Sequence, residues 1–116
     1  MLIAQISDFH IVAPGQRAYR RIDPASMLHH AIEILNALKP QPELVIGSGD
    51  LVESGAPAEY AYLQDILKQL RAPFVPVIGN HDRRDHFIAA FGDKVKSSAA
   101  PFIQYVQIVG DIQVVV

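Results

Sequence analysis

The stretch Gly79-Asn80-His81-Asp82 places an amide, an imidazole and a carboxylate side by side, directly after the apolar run at residues 73–78. A short apolar run of this kind is typical of a buried strand, and a glycine permits a sharp turn after it. The three side chains that follow can then face one space. The sequence therefore predicts a chemically active turn at the end of a strand.

Two earlier segments repeat this arrangement. The apolar residues 2–6 run into Ser7-Asp8-Phe9-His10, and the apolar residues 44–46 run into Gly47-Ser48-Gly49-Asp50. A single Gly-Asn-His-Asp tetrapeptide is also compatible with an ordinary polar turn. Three apolar runs that each end in side chains able to bind a metal instead favour one shared site.

The segments between these runs are predicted to be helices. Asp23 is a good N-cap with Pro24 at the first helical position, Gly55 and Pro57 open a second helix, and residues 83–91 form a shorter third one. Apolar residues recur at helical spacing along one face of each longer helix. The residues expected to be buried are Met27, Leu28, Ala31, Ile34, Leu35 and Leu38 in the first helix and Tyr60, Leu63, Ile66, Leu67 and Leu70 in the second.

The elements follow the order β-α-β-α-β. A polar connection after Gly92 then leads to two further β-like runs, residues 104–109 and 112–116, with Gly110-Asp111 as a turn between them. Helices long enough to cross over predict a parallel sheet with right-handed connections. The predicted fold class is therefore α/β, with a parallel core and additional strands at the C-terminus.

This topology predicts where the chemistry lies. In open α/β sheets, ligands bind beyond the carboxyl ends of the strands, and all three polar clusters lie at such ends. Asp8 and His10 are two residues apart, so they share a face and can bind one ion if the strand conformation persists. The cleft is expected to contain Asp8, His10, Asp50, Asn80 and His81.

The types of these side chains point to a metal. Carboxylates, imidazoles and an amide oxygen suit manganese, iron or zinc more than copper, and the chain has no cysteine to supply a thiolate. A carboxylate can bridge two cations, and two ions roughly 3.5 to 4 Å apart form the clamp used for in-line displacement at phosphorus. Asp50, which lies between the other groups, is the natural bridging ligand.

Length and charge narrow the class of protein. The 116 residues allow one domain with a sizeable core, since half of them are hydrophobic. A formal net charge of -2 gives no basic surface for duplex nucleic acid, whereas a small phosphate ester remains a suitable ligand. The chain shows neither a signal peptide nor an uncharged stretch of membrane-spanning length, so no membrane partner is expected. The lack of cysteine fits a reducing compartment, and we expect a cytoplasmic protein.

The three motifs resemble those of a known superfamily. Asp8-x-His10, Gly49-Asp50 and Gly79-Asn80-His81-Asp82 are similar to the first three motifs of the calcineurin-like metallophosphoesterases. The loop Gly15-x-x-x-Tyr19-x-x-Ile22-Asp23 is similar to the branch that contains glycerophosphodiesterases and class III cyclic-nucleotide phosphodiesterases. The resemblance covers essentially the whole chain and implies the N-terminal half of an αββα sandwich.

The resemblance also implies the roles of the metal ligands. Asp8 and His10 would hold the first ion, Asp50 would bridge, and Asn80 would hold the second ion. The cofactors would be two divalent ions, drawn from iron, manganese, zinc or cobalt. Phe9 stands where the family often has threonine or leucine, and this departure leaves the ligands intact.

Two residues of the third motif have implied catalytic roles. By the same resemblance, His81 faces the phosphate and is oriented by Asp82. The leading hypothesis is therefore a dimetal phosphodiesterase, in which a metal-bound hydroxide attacks phosphorus and His81 assists at the phosphate or at the leaving oxygen. The substrate would be a small phosphodiester, and the sequence does not choose between a glycerophosphodiester and a 3',5'-cyclic nucleotide.

The family completes its site with three further histidines, one from a later strand and two from a Gly-His-x-His motif. These motifs do not occur before Val116. Residues 1–116 are therefore expected to be the N-terminal part of a single metallophosphoesterase domain, and the full-length protein is expected to be a homo-oligomer. The alternative is a non-catalytic fragment that binds metal weakly or needs its missing half to fold.

The remaining acidic and imidazole side chains are given no role in the site. Glu53, three residues after Asp50, could support the bridging loop, but an exposed loop carboxylate is the default expectation. His29 and His30 are expected to be solvated or packing residues of the first helix. His86 is expected to lie on the surface.

Overall fold

Three parallel strands form the main sheet of the computed structural model, which describes residues 1–95 and 101–116. The strands lie in the order β1 (Ile3–Ile6), β2 (Leu44–Ser48) and β3 (Phe74–Val77), and both neighbouring pairs are parallel. The helices α1 (Pro24–Ala37) and α2 (Pro57–Leu67) connect them. The predicted parallel β-α-β-α-β core is confirmed.

The C-terminal part adds a helix and a hairpin. Helix α3 (Arg84–Phe91) follows β3, and β4 (Val106–Val109) pairs antiparallel with β5 (Ile112–Val115) across the turn at Gly110-Asp111. Both additional strands are confirmed, and they form a separate two-stranded sheet. Residues 96–100 belong to the polar connection expected after Gly92 and lie outside the described residues.

Helix α1 begins as predicted. The Asp23 carboxylate accepts a hydrogen bond from the Ser26 backbone N–H at 3.0 Å, with Pro24 at the first helical position. Its apolar face differs from the prediction, because Met27, Ile34 and Leu38 are exposed to solvent. These three residues lie about a third of a turn around the helix axis from the buried face. The side chains that do pack into the core are Ala25, Leu28, Ile32 and Leu35.

Helix α2 buries the predicted Tyr60, Leu63 and Ile66, whereas Leu67 and Leu70 are only partly buried. Its N-terminus also buries an unpredicted carboxylate. Glu59 accepts hydrogen bonds from the backbone N–H groups of Ser54 and Ala56 and from the Ser54 hydroxyl, at 2.9 to 3.1 Å. This carboxylate stabilises the first turn of the helix and the loop before it.

The core extends beneath the carboxyl ends of the strands. Ile11 and Val52 are fully buried and form an isolated parallel bridge beyond the ends of β1 and β2. The loops that follow these two strands therefore continue side by side and reach the same edge of the sheet. Among the described residues, none of the helices has the length and apolarity that a membrane span requires.

Candidate metal centre

The loops after β1 and β2 are joined by backbone hydrogen bonds at this edge of the sheet. The Asp8 N–H donates to the Gly49 carbonyl at 3.1 Å, and the His10 N–H donates to the Asp50 carbonyl at 3.0 Å. The loop after β3 joins them, because the His81 N–H donates to Oδ1 of Asp50 at 2.9 Å. The three motifs therefore converge, as the topology predicts.

The backbone at the candidate ligands is not a continuation of the strands. Strand β1 ends at Ile6, and Asp8, His10 and Asp50 have φ angles of 57°, 47° and 48°. The condition under which Asp8 and His10 would share a strand face is therefore not met, since both residues adopt the left-handed conformation. Each such residue costs roughly 1 kcal/mol or more, and such conformations cluster at functional sites. The hydrogen bonds between the loops hold these conformations in place.

Three of the predicted ligands nevertheless come together. Nε2 of His10 lies 3.9 Å from Oδ1 of Asp8 and 3.9 Å from Oδ2 of Asp50. The three ligand atoms lie within 4.8 Å of one another, which is suitable for a single cation. The Asp50 side chain is 15% exposed, whereas that of Asp8 is 63% exposed. Two carboxylates and one imidazole form a donor set that fits manganese, iron or zinc.

Glu53 is part of this site, contrary to the expectation of an exposed loop carboxylate. Its Oε2 lies 2.7 Å from Nδ1 of His10. A carboxylate at one imidazole nitrogen fixes the tautomer and the ring orientation, which leaves Nε2 of His10 for the metal. The spacing of Glu53 from Asp50 was the available signal, but only the folded loop shows that the side chain turns toward His10.

The His81 ring lies against the same group. Its Nδ1 donates to the Glu53 carbonyl at 2.7 Å, and the ring meets that of His10 edge-on, with centroids 4.7 Å apart. The carbonyl of Glu53 raises the pKa of His81 above its ordinary value, and the nearby carboxylates of Asp50, Glu53 and Asp82 act in the same direction against the effect of desolvation. The raised pKa favours the charged imidazolium.

A second group of possible ligand atoms comes from His10, Glu53 and His81, again within 4.8 Å of one another. This group is better explained by hydrogen bonds. Nδ1 of His10 already pairs with the Glu53 carboxylate, and Nδ1 of His81 pairs with the Glu53 carbonyl. Within residues 1–95 and 101–116, no hydrogen bond competes at Nε2 of His10, so the group of Asp8, His10 and Asp50 is the stronger candidate for a metal.

Asp82 does not orient His81, so this prediction is wrong in its geometry. The buried carboxylate accepts hydrogen bonds from the Gly79 N–H at 2.8 Å, from the Leu51 N–H at 3.2 Å and from the Tyr60 hydroxyl at 2.9 Å. The His81 ring is instead held by the Glu53 carbonyl. Asp82 therefore connects the loops after β2 and β3.

Asn80 lies in the same loop and is exposed to solvent. The N–H of the next residue, His81, donates a hydrogen bond to Asp50, so the backbone of Asn80 lies close to the candidate centre. Among the described residues its side chain makes no hydrogen bond. Its assignment as a ligand of a second ion stays a prediction.

The other histidines lie away from the centre. Nδ1 of His29 lies 3.2 Å from Oε1 of Gln69, and exposed His30 lies 3.6 Å from Glu33. His86 is partly buried, and its Nδ1 donates to the Gly55 carbonyl at 2.7 Å. The expectation of a surface position for His86 is therefore only partly correct.

An apolar cavity of about 390 Å³ adjoins the centre. Asp8 and His10 line one side of it. Its other walls come mainly from apolar residues of the loop before α1 and of α1 itself, among them Ile22, Met27 and Ala31. The candidate site thus combines an edge of charged and imidazole side chains with an apolar surface beside it.

The parallel sheet and the side chains at its carboxyl edge define an α/β protein with a candidate metal site. The model of the family described as calcineurin-like phosphoesterase matches residues 1–115. The chain belongs to the calcineurin-like phosphoesterase family, and it forms part of that fold.

Several curated relatives are similar to this chain in sequence. A probable glycerophosphodiester phosphodiesterase of Arcobacter nitrofigilis is 37% identical over 91 residues, which are 78% of this chain and 33% of the relative. A probable cyclic nucleotide phosphodiesterase of Rhodopseudomonas palustris is 39% identical over 108 residues, 93% of this chain and 39% of the relative. A cAMP/cGMP dual specificity phosphodiesterase of Mycobacterium tuberculosis is 32% identical over 102 residues, 84% of this chain and 32% of the relative. The chain thus spans less than two fifths of the length of these relatives.

Proposed function

We propose that the protein is a metal-dependent phosphodiester hydrolase with a dinuclear centre. The observation that carries the proposal is the convergence of Asp8, His10 and Asp50 at the carboxyl edge of the sheet, with ligand atoms within 4.8 Å of one another. Relatives named as phosphodiesterases support the same reaction class. Asp8 and His10 would hold the first ion, Asp50 would serve both ions, and Asn80 would hold the second.

The bound cations supply positive charge that stabilises the phosphoryl group during displacement. The residues of this chain orient the ligands and the substrate. The carboxylate of Glu53 directs Nε2 of His10 toward the centre, and its carbonyl holds Nδ1 of His81. The other nitrogen of His81, Nε2, is then available to a phosphoryl or leaving oxygen, which gives this residue its catalytic role.

The substrate is a small phosphodiester, either a glycerophosphodiester or a 3',5'-cyclic nucleotide. Both kinds of substrate appear in the names of the relatives. Because the chain spans less than two fifths of their length, we infer that residues 1–116 are the N-terminal part of one domain. Further ligands and most of the substrate contacts come from the rest of that domain.

The test is the hydrolysis of bis(p-nitrophenyl) phosphate by a protein that contains residues 1–116 and has the length of the relatives. The assay is run with and without Mn²⁺. We expect metal-dependent turnover, and we expect Asp50→Ala to lose more bound metal than Asn80→Ala, because Asp50 is a shared charged ligand. Asp65→Ala is the control, since Asp65 is exposed on α2 and pairs with Lys68, which directly follows that helix. Metal-independent turnover, or full metal retention in Asp50→Ala, contradicts the proposal.

The isolated chain gives a second test of the same idea. At most three of the proposed ligands would serve one ion and two would serve the other, with Asp50 shared, so the second ion would be weakly held. The proposed ligands are Asp8, His10, Asp50 and Asn80. This small number of proposed ligands favours a non-catalytic metal-binding role for residues 1–116 alone. We expect Mn²⁺ binding with at least about tenfold slower turnover than the full-length protein at matched metal occupancy. Equal turnover would show that the additional ligands are dispensable.

A further inference from the structure

One hydroxyl group outside the candidate centre is buried and bonded to a carboxylate that touches two of its loops. Tyr60 on α2 is 2% exposed, and its hydroxyl donates to Oδ1 of Asp82 at 2.9 Å. The hydroxyl oxygen of Tyr60 also accepts a hydrogen bond from the Arg83 N–H at 3.2 Å. Edge-on packing against Phe87 and Phe91, with ring centroids 6.4 and 6.3 Å away, holds the phenol ring in place.

Asp82 connects this hydroxyl to the two loops. Its Oδ2 accepts from the Gly79 N–H at 2.8 Å and from the Leu51 N–H at 3.2 Å. Gly79 belongs to the loop after β3, and Leu51 directly follows Asp50 in the loop after β2. One carboxylate therefore sets the separation between these loops, and the Tyr60 hydroxyl occupies its other oxygen.

The two loops are in close backbone contact at this point. A Cβ atom at Gly79 would overlap with the backbone nitrogen and the carboxylate of Asp50, and it would lie 2.9 Å from the carbonyl carbon of Gly49. The His81 N–H also donates to Oδ1 of Asp50. A small change in the separation of the loops must therefore change the direction of the Asp50 carboxylate.

We propose that Tyr60 is a positioning residue for the metal centre, which it influences by hydrogen bonding to Asp82 and so holding the Asp50 and His81 loops in register. This inference rests on the proposed function, because it assigns Tyr60 a role only if Asp50 binds metal. Tyr60 is not one of the candidate ligands, since its hydroxyl is bonded to Asp82 and to the Arg83 N–H. Groups that hydrogen-bond directly to a metal ligand typically lower metal affinity about 10- to 100-fold when they are lost. Tyr60 acts through Asp82 and the loop backbone, so we expect an effect at the lower end of this range.

The experiment compares Tyr60→Phe with Tyr62→Phe in the 116-residue chain, with Mn²⁺ alone as the probe. Tyr62 lies on the same helix, and its hydroxyl makes no hydrogen bond to the described residues. Calorimetric titration is carried out at a temperature at which circular dichroism shows all chains to be folded. We expect the Kd for Mn²⁺ to rise about tenfold in Tyr60→Phe. The Kd of Tyr62→Phe should stay unchanged.

A spectroscopic readout separates positioning from stability. With Co²⁺ in place of Mn²⁺, the visible absorption bands report the ligand geometry, and we expect them to change in Tyr60→Phe only. A purely structural hydroxyl would lower the melting temperature and leave the Kd and the spectrum as in the wild type, which would overturn the inference. If the wild-type 116-residue chain binds no Mn²⁺, the inference fails for this chain, whereas the proposed function is decided separately by metal-dependent turnover of the full-length protein.

A measurement on the wild type alone keeps the inference testable if Tyr60→Phe does not fold. Because Asp82 holds the amides of Leu51 and Gly79 in buried or partly buried bonds, both should exchange slowly with deuterium in the metal-free chain. Slow exchange at both amides supports the connection between the loops. Exchange as fast as at the exposed termini would overturn it.

Discussion

Glu53 shows how a single residue can orient the side chains of a site without being one of its candidate ligands. Its carboxylate meets Nδ1 of His10 and its carbonyl meets Nδ1 of His81, each at 2.7 Å. Both imidazoles therefore have one nitrogen in a hydrogen bond and the other available. A residue that is not itself a ligand in the candidate centre thus orients two imidazoles beside it.

Replacing Glu53 with glutamine tests this role. Glutamine keeps the size of the side chain but removes the charge that stabilises the His10 orientation, so we expect Mn²⁺ affinity to fall about 10- to 100-fold. Isothermal titration of the folded variant measures the change. Glu33→Gln is the matched control, because Glu33 is exposed on α1 and should bind Mn²⁺ as the wild type does. Unchanged affinity in Glu53→Gln would leave Glu53 with a structural role only.

At the scale of elements, each loop of the centre depends on the helix or strand that precedes or follows it. The loop after β2 runs from Asp50 into α2, and the buried Glu59 carboxylate holds its last residues against the first turn of that helix. The same helix carries Tyr60, which reaches Asp82. Helix α2 therefore stabilises the loops of the candidate centre through Glu59 and Tyr60 as well as packing into the core.

Glu59→Ala removes three hydrogen bonds to a buried carboxylate. Because the Ser54 and Ala56 amides lose a charged acceptor, we expect the free energy of unfolding to fall by about 2 to 4 kcal/mol. Urea titration followed by circular dichroism measures this difference. Glu33→Ala on exposed α1 should change the same quantity by less than about 0.5 kcal/mol. A similarly small effect of Glu59→Ala would contradict the capping role.

At the scale of the whole molecule, apolar surface is left open on the C-terminal hairpin. The register pairs Val106 with Val115 and Ile108 with Gln113, so these four residues share one face. Ile108 is 64% exposed and Val115 is 78% exposed. An exposed apolar strand face of this kind favours association with another surface, whether a further part of the domain or a second chain.

We expect the isolated chain to self-associate through this face. Ile108→Lys should shift the population toward monomer, because burying an unpaired ammonium group between apolar faces is unfavourable. Sedimentation velocity at matched concentrations measures the distribution. Gln104→Lys adds the same charge at an exposed position outside the strands and should leave the distribution unchanged. If Ile108→Lys has no effect, the hairpin face is not the contact.

Much of this organisation could be predicted from local patterns. The Asp23 cap, the Pro24 and Pro57 helix starts and the turn at Gly110-Asp111 depend on neighbours a few residues away, so short-range chemistry specifies them. The strand ends were also predictable, because each apolar run stops where polar residues begin. The buried face of α1 was not, since Met27, Ile34 and Leu38 are as apolar as the residues that pack into the core.

The sequence by itself determined the order of the elements, the parallel sheet and the edge at which Asp8, His10 and Asp50 would meet, because the carboxyl ends of parallel strands always share an edge. The tertiary structure decided the left-handed conformations of these residues, the contact of Glu53 with His10 and the bonds of Asp82. Glu53 and His10 are 43 residues apart, and Asp82 and Leu51 are 31 apart. Contacts over such separations depend on how two loops pack together, and no local preference of either segment specifies that packing.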